Sequence, residues 1–136
     1  MVTKRNKKIR VVLGKVGCDI HERGATTLAL AFRNAGMEVV YLGRYQTPEG
    51  VAKAAMDEGA DVIALSDHTG SMRLIAENVL QALKSLGGGT IPVVAGGLIP
   101  KHDIPILEKM GVTGNFGPGT PLEVIINHII TRVERG

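Results

Sequence analysis

Five short aliphatic runs, each followed by a stretch of helical periodicity, constrain this chain more than any other feature of its sequence. The runs fall at 9–13, 38–42, 62–65, 91–95 and 113–116. Several, such as Val11-Val12-Leu13 and Val62-Ile63-Ala64-Leu65, are apolar at successive positions, as expected of strands covered on both faces. Helical patterns occupy 25–35, 48–58, 73–86, 104–110 and 121–133. Their ends carry ordinary punctuation: Thr47 then Pro48 at the start of the second helix, and Gly36, Gly59, Gly87 and Gly111 just past helix ends. Strict alternation predicts an α/β fold, a doubly wound five-stranded parallel sheet in order 2-1-3-4-5 with helices on both faces. The switch point then lies between the first and third strands, so ligand chemistry is expected in the loops that follow them.

The loop after the first strand, residues 15–24, holds an unusual set of groups: Lys15, Gly17, Cys18, Asp19, His21 and Gly24. Asp19 and His21 are one residue apart, so an extended loop lets both project the same way. A carboxylate that accepts one imidazole N–H fixes the tautomer and leaves the other nitrogen as a metal ligand. Lys15 can hold Asp19 ionised. The same residues also suit a helix-capping loop whose Asp19 and His21 bond locally. The loop after the third strand is Ser66-Asp67-His68-Thr69-Gly70-Ser71. The fourth strand runs into Gly96-Gly97, where the missing Cβ atoms let a ligand or another backbone approach closely. The fifth runs into Phe116-Gly117-Pro118-Gly119-Thr120-Pro121, with Thr120 as expected N-cap and Pro121 as first helical residue.

Composition narrows the classes. At 136 residues, 44% of them hydrophobic, the chain is long enough for one domain with an ordinary core. The formal charge is +3, but Lys4, Arg5, Lys7, Lys8 and Arg10 face no acid in the first ten residues, which leaves −2 for the rest. The basicity therefore belongs to a flexible tail, 1–8, ahead of a domain at 9–136. With two Phe, two Tyr and no Trp, stacking on bases is poorly served, so no nucleic-acid role is expected. One cysteine excludes an internal disulfide and suits a cytoplasmic location, and no apolar run is long enough to span a bilayer.

The pattern Asp19-x-His21-x-x-Gly24, preceded by Lys15 and Gly17, resembles the signature loop of cobalamin-binding domains. Ser66 is similar to the serine of their third-strand motif, and Gly96-Gly97 to their glycine pair. Phe116-Gly117-Pro118-Gly119-Thr120 and Gln46-Thr47-Pro48-Glu49 look like segments of the acyl-CoA mutases. The likeness runs from Ile9 to Val133 and is closest to the cobalamin-binding small subunits of two-chain adenosylcobalamin-dependent mutases that act on methylmalonyl-, isobutyryl- or 2-hydroxyisobutyryl-CoA. It implies that His21 replaces the cofactor's own base as lower ligand of cobalt, with Asp19 and Lys15 behind it. It implies a slot for the detached nucleotide tail, lined by Ser66, Gly96, Gly97, Phe116, Gly117, Gly119 and Thr120. It further implies an isomerase subunit that is inactive alone, with adenosylcobalamin as cofactor. Cobalt–carbon homolysis would start a radical 1,2-rearrangement on a barrel-type large subunit that binds the acyl-CoA. One departure stands out: His68 occupies a position that is usually leucine; it is expected to point to solvent, the alternative being a hydrogen bond to the cofactor or to a partner subunit.

Rival readings remain. The order 2-1-3-4-5 is shared with receiver domains, which require paired acids after strand one and a lysine after strand five, and with FMN-binding flavodoxin-like proteins, which require a hydroxyl-rich first loop; neither is present here. A zinc site could draw on Cys18, His21, Asp67 and His68. A corrinoid methyl carrier of a methyltransferase system shares the histidine loop, but usually carries a helical domain before it, whereas eight residues precede the first strand here. Cys18 is expected as a small buried group, Asp103 as a helix-dipole partner after His102, and His128 as a partly exposed surface residue.

Overall fold

The structure, a computed structural model, describes residues 8–17 and 23–134. Strands β1 (Arg10–Val16), β2 (Glu38–Gln46), β3 (Val62–Asp67), β4 (Val93–Gly97) and β5 (Val112–Phe116) alternate with helices α1 (Arg23–Asn34), α2 (Pro48–Glu58), α3 (Met72–Ser85), α4 (Ile104–Lys109) and α5 (Leu122–Glu134). A 3₁₀ turn, Lys101–Asp103, leads into α4. The strands form one parallel sheet in the order β2-β1-β3-β4-β5, as the alternation predicts. The basic segment 1–8 lies outside the described residues except for Lys8, which is exposed.

Residue parity along the strands sends alternate side chains to opposite faces. Val12, Ile63, Leu65, Val93, Ala95 and Val112 pack with Val51, Ala55, Ile75, Val79 and Leu83 beneath α2 and α3. Val11, Leu13, Val62, Ala64 and Val94 pack with Ala29, Phe32 and Ile129 beneath α1 and α5. Burial of both faces explains why the strands read as unbroken aliphatic runs.

Helix ends follow the local chemistry. The Thr47 hydroxyl accepts the Gly50 N–H at 2.9 Å to cap α2, and Gly59 ends that helix in the left-handed conformation at φ 63°. At the start of α5 the expectation fails by one residue. The helix opens at Leu122, and the Thr120 hydroxyl donates to the Gly117 carbonyl at 2.7 Å, closing a turn rather than capping. Asp103 is buried and faces Arg73, 4.0 Å away, which gives it an ionic partner.

Strand lengths also differ from the aliphatic runs. β1 continues through Lys15, β2 through Gln46 and β3 through Asp67, because sheet pairing persists after the apolar side chains end. β4 begins two residues later than the run at 91, at Val93, just after a proline that has no N–H to give to the ladder. No helix among the described residues is long and apolar enough to cross a membrane.

Candidate functional site

Beyond the apolar middle of the sheet, the same parity carries polar residues onto the α1–α5 face. Lys15 follows Leu13 on β1, and Ser66 and His68 follow Ala64 on β3 and just beyond it. Lys15 is fully buried. Its Nζ lies 3.2 Å from Ser66 Oγ, 3.4 Å from the Ser66 carbonyl and 3.4 Å from His68 Nδ1. A buried ammonium needs such partners. His68 is half-buried and turned inward, so the solvent-facing reading is corrected.

Asp67, between them, points to the other side. Its carboxylate accepts the Thr69 hydroxyl at 2.8 Å and the Ser71 N–H at 2.9 Å, which ties the end of β3 to the start of α3. Both oxygens are committed, so Asp67 does not suit the zinc set. Among the described residues no group of three or more His, Cys, Asp or Glu could hold a metal. Asp19 and His21, the expected cobalt-ligand pair, lie outside the described residues, as does Cys18.

Gly96 and Gly97 pair with Ser66 and Asp67 across the sheet. At Gly97, φ is +124° and a Cβ would overlap the Asp67 carbonyl, so β3 and β4 can end this close only with glycine there. A Cβ on Gly96 would stand 3.4 Å from the Phe116 carbonyl, while Gly117 and Gly119 face open space.

These segments enclose a cavity of about 260 Å³ between α1, α5 and the carboxyl ends of β3, β4 and β5. Leu13, Phe32 and Ile129 form its floor; Thr27, Leu28 and Ile125 form the helical walls. Gly24, Ser66, Gly96, Gly97, Phe116, Gly117, Gly119 and Thr120, all expected from sequence as binding residues, line it together. Lys15 sits behind Ser66 rather than in the lining. Gly17 is not brought to the cavity; its N–H donates to the Gln46 carbonyl at 2.9 Å, on the β2 side. A second, shallower groove of about 560 Å³ adjoins the first and shares His68, Gly97, Gly117 and Pro118 with it.

Sequence reading missed the helical wall and favoured the wrong orientation for His68. The i, i+4 pairs Leu28–Phe32 and Ile125–Ile129 were visible, but an apolar helix stripe looks the same whether it covers core or cavity. His128 is partly exposed, as expected, but its ring also faces the sheet. Its Nε2 lies 2.8 Å from Thr113 Oγ1, and its ring meets Phe116 edge-on with centroids 5.4 Å apart, bracing a wall of the cavity. Burial, with a smaller effect from Arg132, lowers its pKa below the usual histidine range.

The cavity thus has an apolar floor, a backbone-lined wall made of glycines, and a polar lip at Ser66 and His68. That suits an elongated ligand with a flat apolar end and a polar linker.

Comparison with known proteins gives consistent results. The B12 binding domain family matches residues 9–126. The 2-hydroxyisobutanoyl-CoA mutase small subunit of Aquincola tertiaricarbonis is 39% identical over 121 residues, which is 89% of each chain. The pivalyl-CoA mutase small subunit of Xanthobacter autotrophicus is 38% identical over 93% of this chain and 84% of that one. A methylmalonyl-CoA mutase of Rhizobium meliloti is 41% identical over 87% of this chain, which spans 17% of that enzyme. In structure, a cobalamin-binding protein from Desulfitobacterium hafniense aligns with a TM-score of 0.74 at 19% identity, over 93% of this chain and 60% of that one. A receiver domain from Mycobacterium tuberculosis aligns with a TM-score of 0.67 at 17% identity, over 93% and 97%. At such identities both structures speak to fold alone.

Proposed function

We propose, because this chain belongs to the B12 binding domain family, that it works as the cobalamin-binding small subunit of a two-chain acyl-CoA mutase. The observation that carries the reading is the match of fold to relative. Small subunits of two mutases align over most of their own length, and the cavity is lined by seven of the expected tail-binding residues together with Gly24 of the first loop.

In this reading Leu13, Phe32 and Ile129, in the slot between α1 and α5, would hold the aromatic end of the nucleotide tail. Gly96, Gly97 and the 117–120 turn keep side chains out of its way. Ser66, held by Lys15, offers a hydroxyl at the lip. His21 would hold the cobalt, and Asp19 would fix the tautomer of its ring. Adenosylcobalamin, when bound, supplies a cobalt–carbon bond whose homolysis starts the radical rearrangement. This chain binds and orients that cofactor; the acyl-CoA is bound by a barrel-type large subunit, so the chain alone is inactive. We read residues 9–136 as the cofactor unit, 1–8 as a basic tail, and the location as cytoplasmic.

The test is a titration of the purified chain with cobalamin, followed by visible absorption, alone and with the large subunit of a short-chain acyl-CoA mutase. A coloured complex with saturable binding is expected. Protein that retains no colour after free cobalamin is removed, under both conditions, would contradict the assignment.

A further inference from the structure

His68 lines the cavity at its polar lip, and its surroundings define its chemistry. An ammonium donates and never accepts. Lys15 Nζ lies 3.4 Å from His68 Nδ1, a contact that favours the tautomer in which Nδ1 presents its lone pair and Nε2 carries the ring hydrogen. The same ammonium approaches Ser66 Oγ at 3.2 Å, which leaves the serine hydrogen directed elsewhere. Lys15 therefore turns two neighbouring side chains into donors on the cavity side.

The placement of the ring is equally defined. Ser66 and His68 share a face by parity, while Asp67 is anchored to Thr69 and Ser71 on the other. The His68 ring crosses the first turn of α1, with Cε1 3.7 Å from where a Cβ on Gly24 would stand. It borders both the slot and the adjoining groove, so it sits at the mouth rather than on the floor. A ligand that lays an aromatic base on the apolar floor brings its linker to this mouth. A buried ammonium and the amino end of a 12-residue helix make the mouth favourable to negative charge.

We propose that His68 donates from Nε2 to the phosphodiester of the cofactor's nucleotide tail, in a tautomer set by Lys15. The inference rests on the cobalamin reading above. It makes His68 a positioning residue for the tail, since leucine at the same place offers no donor.

Cobinamide, which lacks the whole nucleotide tail, separates this role from general packing. The full chain and its His68→Leu and His68→Gln variants are titrated with cobalamin and with cobinamide, and the ³¹P resonance of bound cobalamin is recorded. Hydrogen bonds to charged groups predict that His68→Leu lowers cobalamin affinity about tenfold and leaves cobinamide affinity unchanged. His68→Gln, which keeps an N–H, retains most of the preference, and the ³¹P shift moves in His68→Leu. An unchanged preference, or an equal loss for both corrinoids, overturns the role of His68 and leaves the cobalamin reading standing. Wild-type protein that binds neither corrinoid overturns both.

Discussion

On the α2–α3 side of the sheet, Val12, Ile63, Leu65, Val93 and Val112 meet helices that close over them along the whole strand length. On the α1–α5 side the same strands give Val11, Leu13, Val62, Ala64 and Val94 in their first halves, and then stop supplying bulk. Beyond that point stand Lys15, Ser66, Gly96 and the 117–120 turn, and the space they leave is the slot. One sheet thus carries a face closed by packing and a face that opens partly into a cavity. The difference is made at the last two or three residues of each strand, where small or polar side chains replace aliphatic ones.

Substitutions can break this division in order of severity. Gly97→Ala forces a Cβ into the Asp67 carbonyl at a backbone angle that side chains rarely adopt, and it disturbs both faces. It is expected to cost about 4 kcal/mol in urea denaturation and to abolish cobalamin binding. Leu83→Ala opens a hole on the packed face. It is expected to cost about 3 kcal/mol while leaving corrinoid affinity unchanged once the protein is folded. Gly117→Val is the converse. Its Cβ meets open space, so stability should stay within about 0.5 kcal/mol, but the added bulk stands at the slot and should lower cobalamin affinity. Equal effects of Leu83→Ala and Gly117→Val on affinity would erase the distinction between the faces.

The smallest effect concerns pH. His128 braces Phe116 and has a lowered pKa, chiefly from burial. The unfolded chain then binds more protons than the folded one near pH 6, so stability rises with pH through that range. The contribution is complete above the ordinary histidine pKa and is lost as pH falls below it. Thermal melts between pH 7.5 and 5 should show a modest decline that His128→Gln reduces.

Much of this was legible in the sequence, and the reasons are physical. Strand order and both polar loops followed from aliphatic runs and helix punctuation, because parallel strands buried on two faces have no other common signature. The slot residues from Ser66 to Thr120 followed from the family likeness and from glycines at strand ends. Lys15 was expected in a loop because an aliphatic run stops at the first charge, yet backbone pairing carries β1 one residue past it, to Val16. His68 was expected in solvent because a histidine between Asp67 and Thr69 looks polar, although its parity with Ser66 already placed it inward. The helical wall gave no signal of its own.

The central claim is that the cofactor's base leaves cobalt for the slot and that a histidine of this chain takes its place. Electron paramagnetic resonance of the Co(II) form, bound to protein carrying ¹⁵N-histidine, tests both halves at once. The account predicts hyperfine coupling to one axial nitrogen that changes with the histidine label and disappears in His21→Ala. Coupling that ignores the label, and therefore comes from the cofactor's own base, would show the slot empty of the tail and contradict it.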